Sequence, residues 1–470
     1  MTPVDALLVN PRHVQGGLNY AGNDLPLSLA YLAAFLDSKG VSTEVLDLEI
    51  EEDPLAALKG TLQKTRPQFV GISAFTIDAV EAHEIAKSVK TFDGSIVTVL
   101  GGLHATAIPE QALREAPYVD YAIFGEGFYT FYELISAIRE KRPLREVEGV
   151  VYRDGQDVRK TASRKLIVDL DDLPFPAREK FKLESYRPHP GNYFQLPSTG
   201  IMASWGCPFS CTFCTVHLAH PGIRWRSPEN VVAEIKDCID RFGIHDFNFY
   251  DDCFTCNMRW AERLCRLIIK EGLKMTWMCE TRVDKVTARL LRVMEQAGCY
   301  HVSYGVEVGT EISLKRINKA ATLRDAREAI SLTKKTHMET KASFILGVPG
   351  ETVEDVRATI RFAKELSPDL VTFYIHKAYP GSPVYQAAEA RGEVLHRQWD
   401  SYLIHNPPAL SSQLPAAILN KLLKSAYYSF YFRPAYILQR LRRLCRSPSR
   451  ELRLTLEGAK LLCSYSFKAP

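Results

Sequence analysis

The amino-acid sequence predicts an α/β protein built from two consecutive parallel β/α units and a helical tail. Apolar segments of strand length alternate with amphipathic helical segments along most of the chain, as in parallel sheets that are covered by helices. A proline-rich stretch without this alternation separates the two runs of strands and helices. The length of 470 residues also exceeds the size of one ordinary domain.

The composition excludes several classes of protein. Hydrophobic residues make up 46% of the chain and charged residues 24%, which predicts packed cores rather than disorder. A net charge of +4 gives no indication of nucleic-acid binding. The apolar stretches are shorter than a membrane span, and the first 15 residues do not resemble a secretory signal. We therefore expect a cytoplasmic protein that does not bind nucleic acid.

The first unit, residues 1–145, contains five predicted strands that are each followed by a helix. The strands are expected at 5–9, 41–48, 69–75, 95–102 and 121–127. This alternation predicts a doubly wound, Rossmann-like domain, and such sheets bind ligands beyond the carboxyl ends of their strands. Glycines and polar residues lie at those ends, where they could be a ligand site or ordinary turns: Ser73, Thr76, Gly101, Gly102, His104, Gly125, Glu126 and Gly127. The first strand is not followed by GxGxxG, so a dinucleotide site is not supported.

Residues 146–199 are predicted to form a linker. They contain a charged, hairpin-like sequence at 150–160 and a proline-rich, aromatic sequence near 188–190. The sequence assigns no chemistry to this segment.

The cysteines predict a metal site. All eleven follow residue 206, and an odd number in an intracellular-looking chain argues against a disulfide framework. Cys207, Cys211 and Cys214 lie close together, directly after the predicted strand 200–206. Three thiolates can hold three irons of a cubane [4Fe–4S] cluster, and together with His217 or His220 they could instead hold a structural zinc. The spacing alone does not choose between the two.

The second unit, residues 200–390, contains six predicted βα repeats, three quarters of an eight-unit barrel. The working face of such barrels lies at the carboxyl ends of the strands. Several chemically useful residues share this position: the cysteine loop, Asp251, Asp252, Glu280, Glu307, Gly347 and Gly350. This coincidence favours the iron–sulfur cluster over the zinc. Residues 391–470 form the predicted helical tail.

Cys207-x3-Cys211-x-Phe213-Cys214 followed by six βα repeats resembles the radical S-adenosylmethionine (SAM) superfamily. The first unit, with GGLHAT (101–106) and FGEG (124–127), resembles the cobalamin-binding domain of the B12-dependent branch of that superfamily. Further segments resemble recurring segments of the same branch: Asp251-Asp252, GVEVGT (305–310), GVPGET (347–352) and YPGSPVY (379–385). The resemblance covers residues 3–385.

The resemblance implies a [4Fe–4S] cluster on Cys207, Cys211 and Cys214, whose open iron SAM would chelate. Electron transfer from the cluster into SAM would yield a 5′-deoxyadenosyl radical. Phe213 would lie by the adenine, Asp251 or Asp252 would accept from the SAM ammonium, and Glu307 would contact other polar groups. Gly347 and Gly350 would allow close backbone approach to the adenosyl group. The structural alternative for the acidic residues is a helix N-cap or a salt bridge, which we expect for Glu351.

The resemblance also implies cobalamin, bound at the eight residues that follow the strands of the first unit. The family signature Asp-x-His-x-x-Gly, which supplies a histidine to cobalamin, is absent, and His104 does not fit it. The leading hypothesis is methylation of an unactivated carbon. The alternative is a radical cyclase, oxidase or dehydratase, as in the anaerobic Mg-protoporphyrin cyclase, and a zinc-stabilised binding protein is a remote third. The implied partners are a small-molecule substrate, such as a pigment, lipid or natural product, and a low-potential electron donor such as flavodoxin or ferredoxin.

Two further features have alternative interpretations. Cys253-x2-Cys256 could belong to a second cluster, but a pair without further ligands favours ordinary buried residues. The tail combines YYSFYF (427–432) with seven arginines between residues 433 and 453. This pattern could place a basic helix in peripheral contact with a membrane, and a basic face that caps the barrel is the preferred interpretation.

Overall fold

The computed structural model of the protein describes residues 3–12, 22–395, 397–402, 410, 413–444, 448 and 450–456. Two parallel sheets, each covered by helices, dominate these residues, which confirms the predicted fold class.

The first sheet has seven strands in the order β2-β1-β3-β4-β5-β6-β7, of which the first five are parallel. Its strands are β1 (Ala6–Asn10), β2 (Thr43–Asp47), β3 (Phe69–Ser73), β4 (Val97–Gly101), β5 (Tyr121–Ile123), β6 (Val150–Asp154) and β7 (Asp157–Lys160). Its helices are α1 (Leu27–Ser38), α2 (Pro54–Thr65), α3 (Ala79–Phe92), α4 (Leu103–Ala107), α5 (Pro109–Glu115) and α6 (Gly127–Glu140). Successive residues of β1 point into separate apolar clusters, because helices cover both faces of the sheet.

The hairpin of β6 and β7 continues this sheet antiparallel to β5. These residues fall inside the predicted linker, and the sheet therefore extends beyond residue 145. The physical reason is burial, because Val150 and Val151 have no exposed surface and pack into the two clusters of the first sheet.

The second sheet has six parallel strands in the order β15-β14-β13-β12-β11-β8, with β15 and β8 at its edges. Its strands are β8 (Ser198–Ile201), β11 (Asp246–Phe249), β12 (Thr276–Arg282), β13 (Cys299–Glu307), β14 (Glu339–Leu346) and β15 (Leu370–Ile375). A separate antiparallel hairpin is formed by β9 (Ser204–Cys207) and β10 (Gly222–Trp225). The sequential order of the strands is that of a partial (βα)6 barrel.

Helices pack on the outer face of the second sheet around one large apolar cluster. The helices of this half are α7 (Val216–Ala219), α8 (Pro228–Phe242), α9 (Met258–Lys270), α10 (Ala288–Gln296), α11 (Glu311–Arg316), α12 (Leu323–Thr333), α13 (Val353–Leu366), α14 (Pro383–Ala390), α15 (Ala416–Tyr431) and α16 (Pro434–Leu444). Most of these helices begin with a side-chain N-cap, as α13 does with Thr352. The cap fixes the residue at which the loop from the preceding strand ends.

The aromatic segment of the tail covers an edge of the second sheet. The hydroxyl of Tyr431 donates to the carbonyl of Val371 (2.9 Å) and accepts from its N–H (3.1 Å), and Tyr427 pairs in the same way with Phe373. The two tyrosines on α15 thus satisfy backbone groups of β15 that have no neighbouring strand.

Three arginines of the described part of the tail form ion pairs, two of them with residues at the amino-terminal ends of the barrel strands β14 and β15. Arg443 contacts Asp369 (2.7 Å), Arg450 contacts Glu339 (2.7 Å), and Arg440 pairs with Glu451 (2.6 Å). Arg450 is 4% exposed. These contacts agree with a tail that caps the barrel, and they occupy side chains that a membrane-bound helix would present to lipid. Among the helices of the described residues, none is long and apolar enough to cross a bilayer.

Candidate active site

The cysteine loop begins at the end of β9 and runs to α7 at the mouth of the barrel. Gly206 has a φ of +91°, and a Cβ there would lie 2.3 Å from the carbonyl oxygen of Gly222. Only glycine fits this position, where the chain turns to present Cys207. Cys211 and Cys214 follow in a turn in which the N–H of Cys214 donates to the carbonyl of Cys211 (3.1 Å).

All three thiols are free and half-buried. Burial raises the pKa of each thiol, that of Cys207 to about 11, so that metal binding is needed to deprotonate them at neutral pH. Two cations oppose this shift at Cys211. The Arg282 Nη1 lies 4.0 Å from the Cys211 sulfur, and Lys319 also lowers the pKa of this thiol. The loop therefore suits an anionic, thiolate-bound metal group.

Contacts with distant segments hold the loop in place. The Arg282 guanidinium lies 3.7 Å from the centre of the Phe209 ring, and Asn318 donates to the carbonyl of Ser210 (3.0 Å). The Phe213 ring packs into an apolar cluster with Val308, Leu314, Ile317 and Val348. Arg282, Phe209 and Asn318 were not predicted from the sequence, because these partners meet only in the folded barrel.

A single zinc ion was the alternative to a cluster at the three cysteines. Zinc brings four donors to within about 2.3 Å of one point. Within the described part of the chain, no three His, Cys, Asp or Glu side chains converge on such a point. His220, a candidate fourth zinc ligand, contacts Glu126 (3.3 Å) and packs its ring against Trp205.

Asp251 and Asp252 have different surroundings. The Asp251 carboxylate is 2% exposed and accepts hydrogen bonds from the Ala203 N–H (3.2 Å) and the Ser204 hydroxyl. Burial raises its pKa to about 7. Asp252 accepts from the Gly206 N–H (3.2 Å) and remains exposed at the barrel mouth. Of the two carboxylates, Asp252 is the one that a ligand can reach.

Glu307 ends β13 in a strained conformation. Its φ is +73°, and the pairing of β13 with β14 shifts register between Gly305 and Glu307. The Lys319 ammonium donates to the Glu307 carboxylate (2.7 Å) and to the Gly305 carbonyl (2.8 Å). A Cβ on Gly305 would lie 2.4 Å from the same carboxylate oxygen. The bulge thus turns a carboxylate towards the mouth and pairs it with a buried lysine.

The loop after β14 has a mainly internal role. Gly347 has a φ of +77°, and a Cβ there would collide with Leu419 of α15 at 2.5 Å. Glu351 accepts from the N–H groups of Gly347 and Val348 (3.0 Å each), so it holds the loop, as expected of a structural residue, while Thr352 is the helix cap. Gly350, with a φ of +82°, is more open.

Cys253 and Cys256 lie behind the cysteine loop. Cys253 is fully buried, Cys256 is half-buried, and their thiols form a hydrogen bond with each other. Cys253 also contacts the Thr281 hydroxyl (3.6 Å). The charge of Cys207 influences the pKa of Cys256, but among the described residues no set of three His, Cys, Asp or Glu side chains is placed to hold a metal ion.

The loops after β3, β4 and β5 share one edge of the first sheet, as predicted for Ser73, Gly101 and Gly125. Gly102 has a φ of +89°, and a Cβ there would lie 2.6 Å from the Ala74 carbonyl oxygen, which lets the loops after β3 and β4 pack closely. A Cβ on Gly125 would meet no atom within 4 Å, so this backbone faces open space. A flat, open edge of backbone atoms suits a large ring-shaped ligand.

His104 and Thr76 lie inside this edge rather than on it. The His104 ring is fully buried, its Nδ1 lies 3.5 Å from the Thr76 hydroxyl, and Trp399 packs across its face. Burial lowers the pKa of His104 to about 4, so the ring is neutral at physiological pH.

Glu126 joins the two units. Its carboxylate accepts from the Ile167 N–H (2.9 Å) and from Arg224 of β10, and it contacts His220. Burial alone would raise its pKa, but the hydrogen bonds from His220, Arg224 and Ile167 lower it. Gly127 follows as the first residue of α6. Glu126 is therefore occupied by protein contacts.

The open edge of the first sheet faces the cysteine loop. Helix α4 packs against α7, and a Cβ on Gly381 would meet both Leu218 of α7 and Ala107 of α4. The two predicted sites, on different units, thus form one composite region.

Two family models match the sequence of this chain. The model of the radical SAM superfamily matches residues 203–363, and that of the B12 binding domain matches residues 17–135. The first match includes the cysteine loop, and the second includes the loops after β3, β4 and β5.

Similar proteins match both units. The uncharacterized methyltransferase PH0819 of Pyrococcus horikoshii is 33% identical over 88% of this chain and 89% of that protein. The anaerobic magnesium-protoporphyrin IX monomethyl ester cyclase of Rubrivivax gelatinosus is 29% identical over 92% of this chain and 78% of that protein. The structure of the radical S-adenosylmethionine methyltransferase TsrM from Kitasatospora setae shares the fold, with a TM-score of 0.69 and 21% identity over 83% of this chain and 76% of that chain.

Proposed function

The chain belongs to the radical SAM enzymes that carry a B12-binding domain, and we propose that it methylates an unactivated carbon of a small molecule. The observation that carries the proposal is the packing of α4 on α7, which brings the open edge of the first sheet to the cysteine loop. Methyl transfer to a substrate radical needs the methyl carrier and the radical source on the same cavity. A B12-type domain remote from the barrel mouth would not support it.

In this proposal Cys207, Cys211 and Cys214 hold three irons of a [4Fe–4S] cluster. When bound, the cluster supplies the electron that cleaves SAM to a 5′-deoxyadenosyl radical, and cobalamin carries the methyl group. Arg282 and Lys319 place positive charge beside Cys211 and so stabilise the thiolate form that ligates iron.

The residues proposed to bind SAM lie around the same mouth. Asp252 is accessible to the ammonium of SAM. The bulge in β13 and the ion pair with Lys319 fix the direction of the Glu307 carboxylate. Phe213 presents its backbone while its ring is fixed in an apolar cluster, and Gly350 leaves the turn after β14 open. Asp251 and Gly347 would support the SAM site without touching SAM. Asp251 accepts from the Ser204 hydroxyl, and Gly347 leaves room for the Leu419 side chain.

Cobalamin would lie on the edge formed by the loops after β3, β4 and β5. Ser73, Gly101, Gly102, Gly125 and Gly127 would approach it with backbone or short side chains. Thr76 and His104 would support this edge from inside, and Glu126 would hold the barrel against it through Arg224.

A second outcome of the same radical chemistry is cyclisation, oxidation or dehydration without methyl transfer. The 29% identity with the magnesium-protoporphyrin cyclase over most of both chains favours keeping this candidate. Both candidates take a small-molecule substrate, such as a pigment, lipid or natural product, and an electron from a low-potential donor such as flavodoxin or ferredoxin.

The test is anaerobic reconstitution with iron, sulfide, cobalamin, SAM and reduced flavodoxin. Methyl transfer predicts 5′-deoxyadenosine, S-adenosylhomocysteine and a methylated product. Deoxyadenosine with a converted but unmethylated product would support the second candidate. Protein that binds zinc in place of a cluster and never cleaves SAM would refute both.

A pair of cysteine variants makes the test specific. Cys211→Ala should lose bound iron and reduce deoxyadenosine formation to background, because it removes one of three cluster ligands. Cys256→Ala is the matched control. The thiol of Cys256 forms a hydrogen bond with that of Cys253, so this variant should leave the iron content unchanged. Equal SAM cleavage by the two variants would contradict the assignment of the cluster.

A further inference from the structure

The inner face of the second sheet carries charged residues at mid-depth. Along β12, β13 and β14, residues that pack against the outer helices alternate with residues that face the lumen of the barrel. Register places Glu280 beside Ser303 and Ser303 beside Lys341, so that these three form one row across the lumen. The Cα atoms of Glu280 and Lys341 are about 10 Å apart, two strand spacings.

The two charges of this lumen row differ from the other charges on the same strands. Among the described residues, none forms an ion pair or a side-chain hydrogen bond with Lys341 or with Glu280. Other charged residues along the same strands are paired, Glu307 with Lys319, Arg282 with Asp284, and Glu339 with Arg450. Lys341 is half-buried and Glu280 is exposed, so both side chains are open to a ligand that enters the lumen.

His301 adds a polar group beneath Lys341. Its ring is fully buried on β13, and its Nε2 has no hydrogen-bond partner within the described residues. Burial is the main cause of its lowered pKa. The charge of Lys341, which lies on β14 two residues beyond the register partner of His301, lowers the pKa further. Lys341 and Ser303 offer hydrogen-bond donors to an anion. The neutral His301 ring directs its Nδ1 to the Glu339 carboxylate (3.5 Å) and leaves Nε2 as an acceptor.

The lumen is closed below this group. Glu339 lies beside His301 in register and binds the Arg450 guanidinium, which also donates to the Tyr193 and Gly191 carbonyls. A molecule that enters from the mouth therefore stops at the lumen row. Asp252 and Glu307 stand nearer the mouth, so the region around Lys341 is the place on the inner face where an unpaired cation lies deepest.

We propose that the lumen row binds the polar end of the substrate, with Lys341 and Ser303 holding a carboxylate or phosphate and Glu280 accepting from an amine or hydroxyl donor. The proposal rests on the proposed function, because it takes the barrel lumen as the substrate site. It assigns the substrate to polar, anion-bearing compounds and excludes purely hydrocarbon acceptors.

The first test measures the reactivity of the Lys341 amine in the metal-free, reduced protein. Acetylation by an N-hydroxysuccinimide ester is followed by peptide mass spectrometry in about 100 mM acetate, phosphate or acetamide at constant ionic strength. A dissociation constant of about 50 mM for acetate would slow labelling of Lys341 about threefold. Acetamide, which has the same shape without the charge, should not slow it. Stronger protection by phosphate than by acetate would assign a phosphate-bearing substrate.

Lys424 is the internal control for this experiment. It is half-buried on α15, outside the strands of the second sheet, and forms no ion pair or side-chain hydrogen bond among the described residues. Equal effects of acetate on Lys341 and Lys424, or equal effects of acetate and acetamide on Lys341, would overturn the anion site.

The second test examines Glu280. 4-Aminobutyrate should protect Lys341 more than butyrate does, since its ammonium can reach the Glu280 carboxylate, and Glu280→Gln should remove this difference. An unchanged difference in the variant would overturn the role of Glu280. Both tests use protein without cluster or SAM, so their failure leaves the proposed methyl transfer standing, and failure of SAM cleavage leaves the anion site standing.

Discussion

Two adjacent carboxylates at the end of β11 show how residue-level roles diverge. Asp251 is buried against Ala203 and Ser204, while Asp252 is exposed at the barrel mouth. Sequence could place both at a strand end, but it could not say which one faces the ligand. That choice depends on the turn between β8 and β9, whose N–H and hydroxyl groups bind Asp251.

Asp251 should make the stability of the protein depend on pH. Its pKa in the folded chain is about 7, above its ordinary value of 3.8, so the folded state holds a proton that the unfolded state loses between these values. The free energy of unfolding should therefore fall as pH rises from about 4 to 7, by up to about 1.4 kcal/mol per pH unit. Asp251→Asn should flatten this slope, as measured by urea unfolding at several pH values.

Asp252→Asn is the comparison variant for the pH experiment. Burial also raises the pKa of Asp252, and its charge helps to raise that of Asp251, so this replacement should flatten the slope less than Asp251→Asn does, while weakening SAM binding. A slope that persists in Asp251→Asn would show that another group carries the proton.

Among the proposed site residues, the three cysteines were the easiest to find in the sequence, and their cationic neighbours the hardest. Three cysteines within eight residues already indicate a metal site in the sequence. Arg282 and Lys319 come from β12 and from the segment after α11, and only the barrel brings them to Cys211. The strand-end position of Arg282 was the one available hint.

At the scale of elements, the five parallel strands of the first sheet and the six of the second were predicted from alternating apolar and helical segments. The hairpin of β6 and β7 was assigned to a linker, because its charged residues Arg153 and Asp154 masked the burial of Val150 and Val151. The short strands β9 and β10 were also missed, since β9 begins within a longer predicted strand that the structure divides near Met202.

The aromatic segment of α15 should stabilise the edge strand β15. Tyr427→Phe with Tyr431→Phe would leave the N–H and C=O groups of Phe373 and Val371 without hydroxyl partners. Each unsatisfied buried group costs about 1–3 kcal/mol. Because four such groups lose their partners, we expect the double variant to lower the free energy of unfolding by about 4 kcal/mol or more in guanidinium titrations.

Tyr129→Phe controls for the loss of a hydroxyl as such. Tyr129 is 38% exposed on α6 and packs against Phe35. Its replacement should change the free energy of unfolding by less than about 0.5 kcal/mol. A similar loss in both variants would mean that the hydroxyls do not act through the edge of β15.

At the scale of the whole molecule, function depends on how two units and a tail meet. Glu126 binds Arg224 across the units, α4 packs on α7, and Trp399 of the tail covers His104 and donates to Glu115 (2.7 Å). None of these contacts joins residues near in sequence, so neither periodicity nor motif spacing could predict them. They make the B12-type edge and the barrel mouth one region.

The tail should also hold the base of the barrel closed through Arg450. Arg450→Met leaves the Glu339 carboxylate buried beside His301 with only Arg443 (3.5 Å) as a cation, and breaking such a buried pair costs about 3–5 kcal/mol. Glu339→Gln combined with Arg450→Met should cost less than Arg450→Met alone, because no charge is then left unpaired.

Calorimetry of the two variants, with Arg391→Met as the control, measures this difference. Arg391 pairs with Glu393 at the surface, where such a pair contributes about 0–1 kcal/mol, so its loss should barely change the melting temperature. Equal melting temperatures for Arg450→Met and for Glu339→Gln combined with Arg450→Met would contradict the prediction. They would mean that Arg450 does not stabilise the protein by neutralising the buried charge of Glu339. Because Glu339 adjoins His301, partial recovery in the double variant would also show that the floor of the lumen depends on residues of the tail.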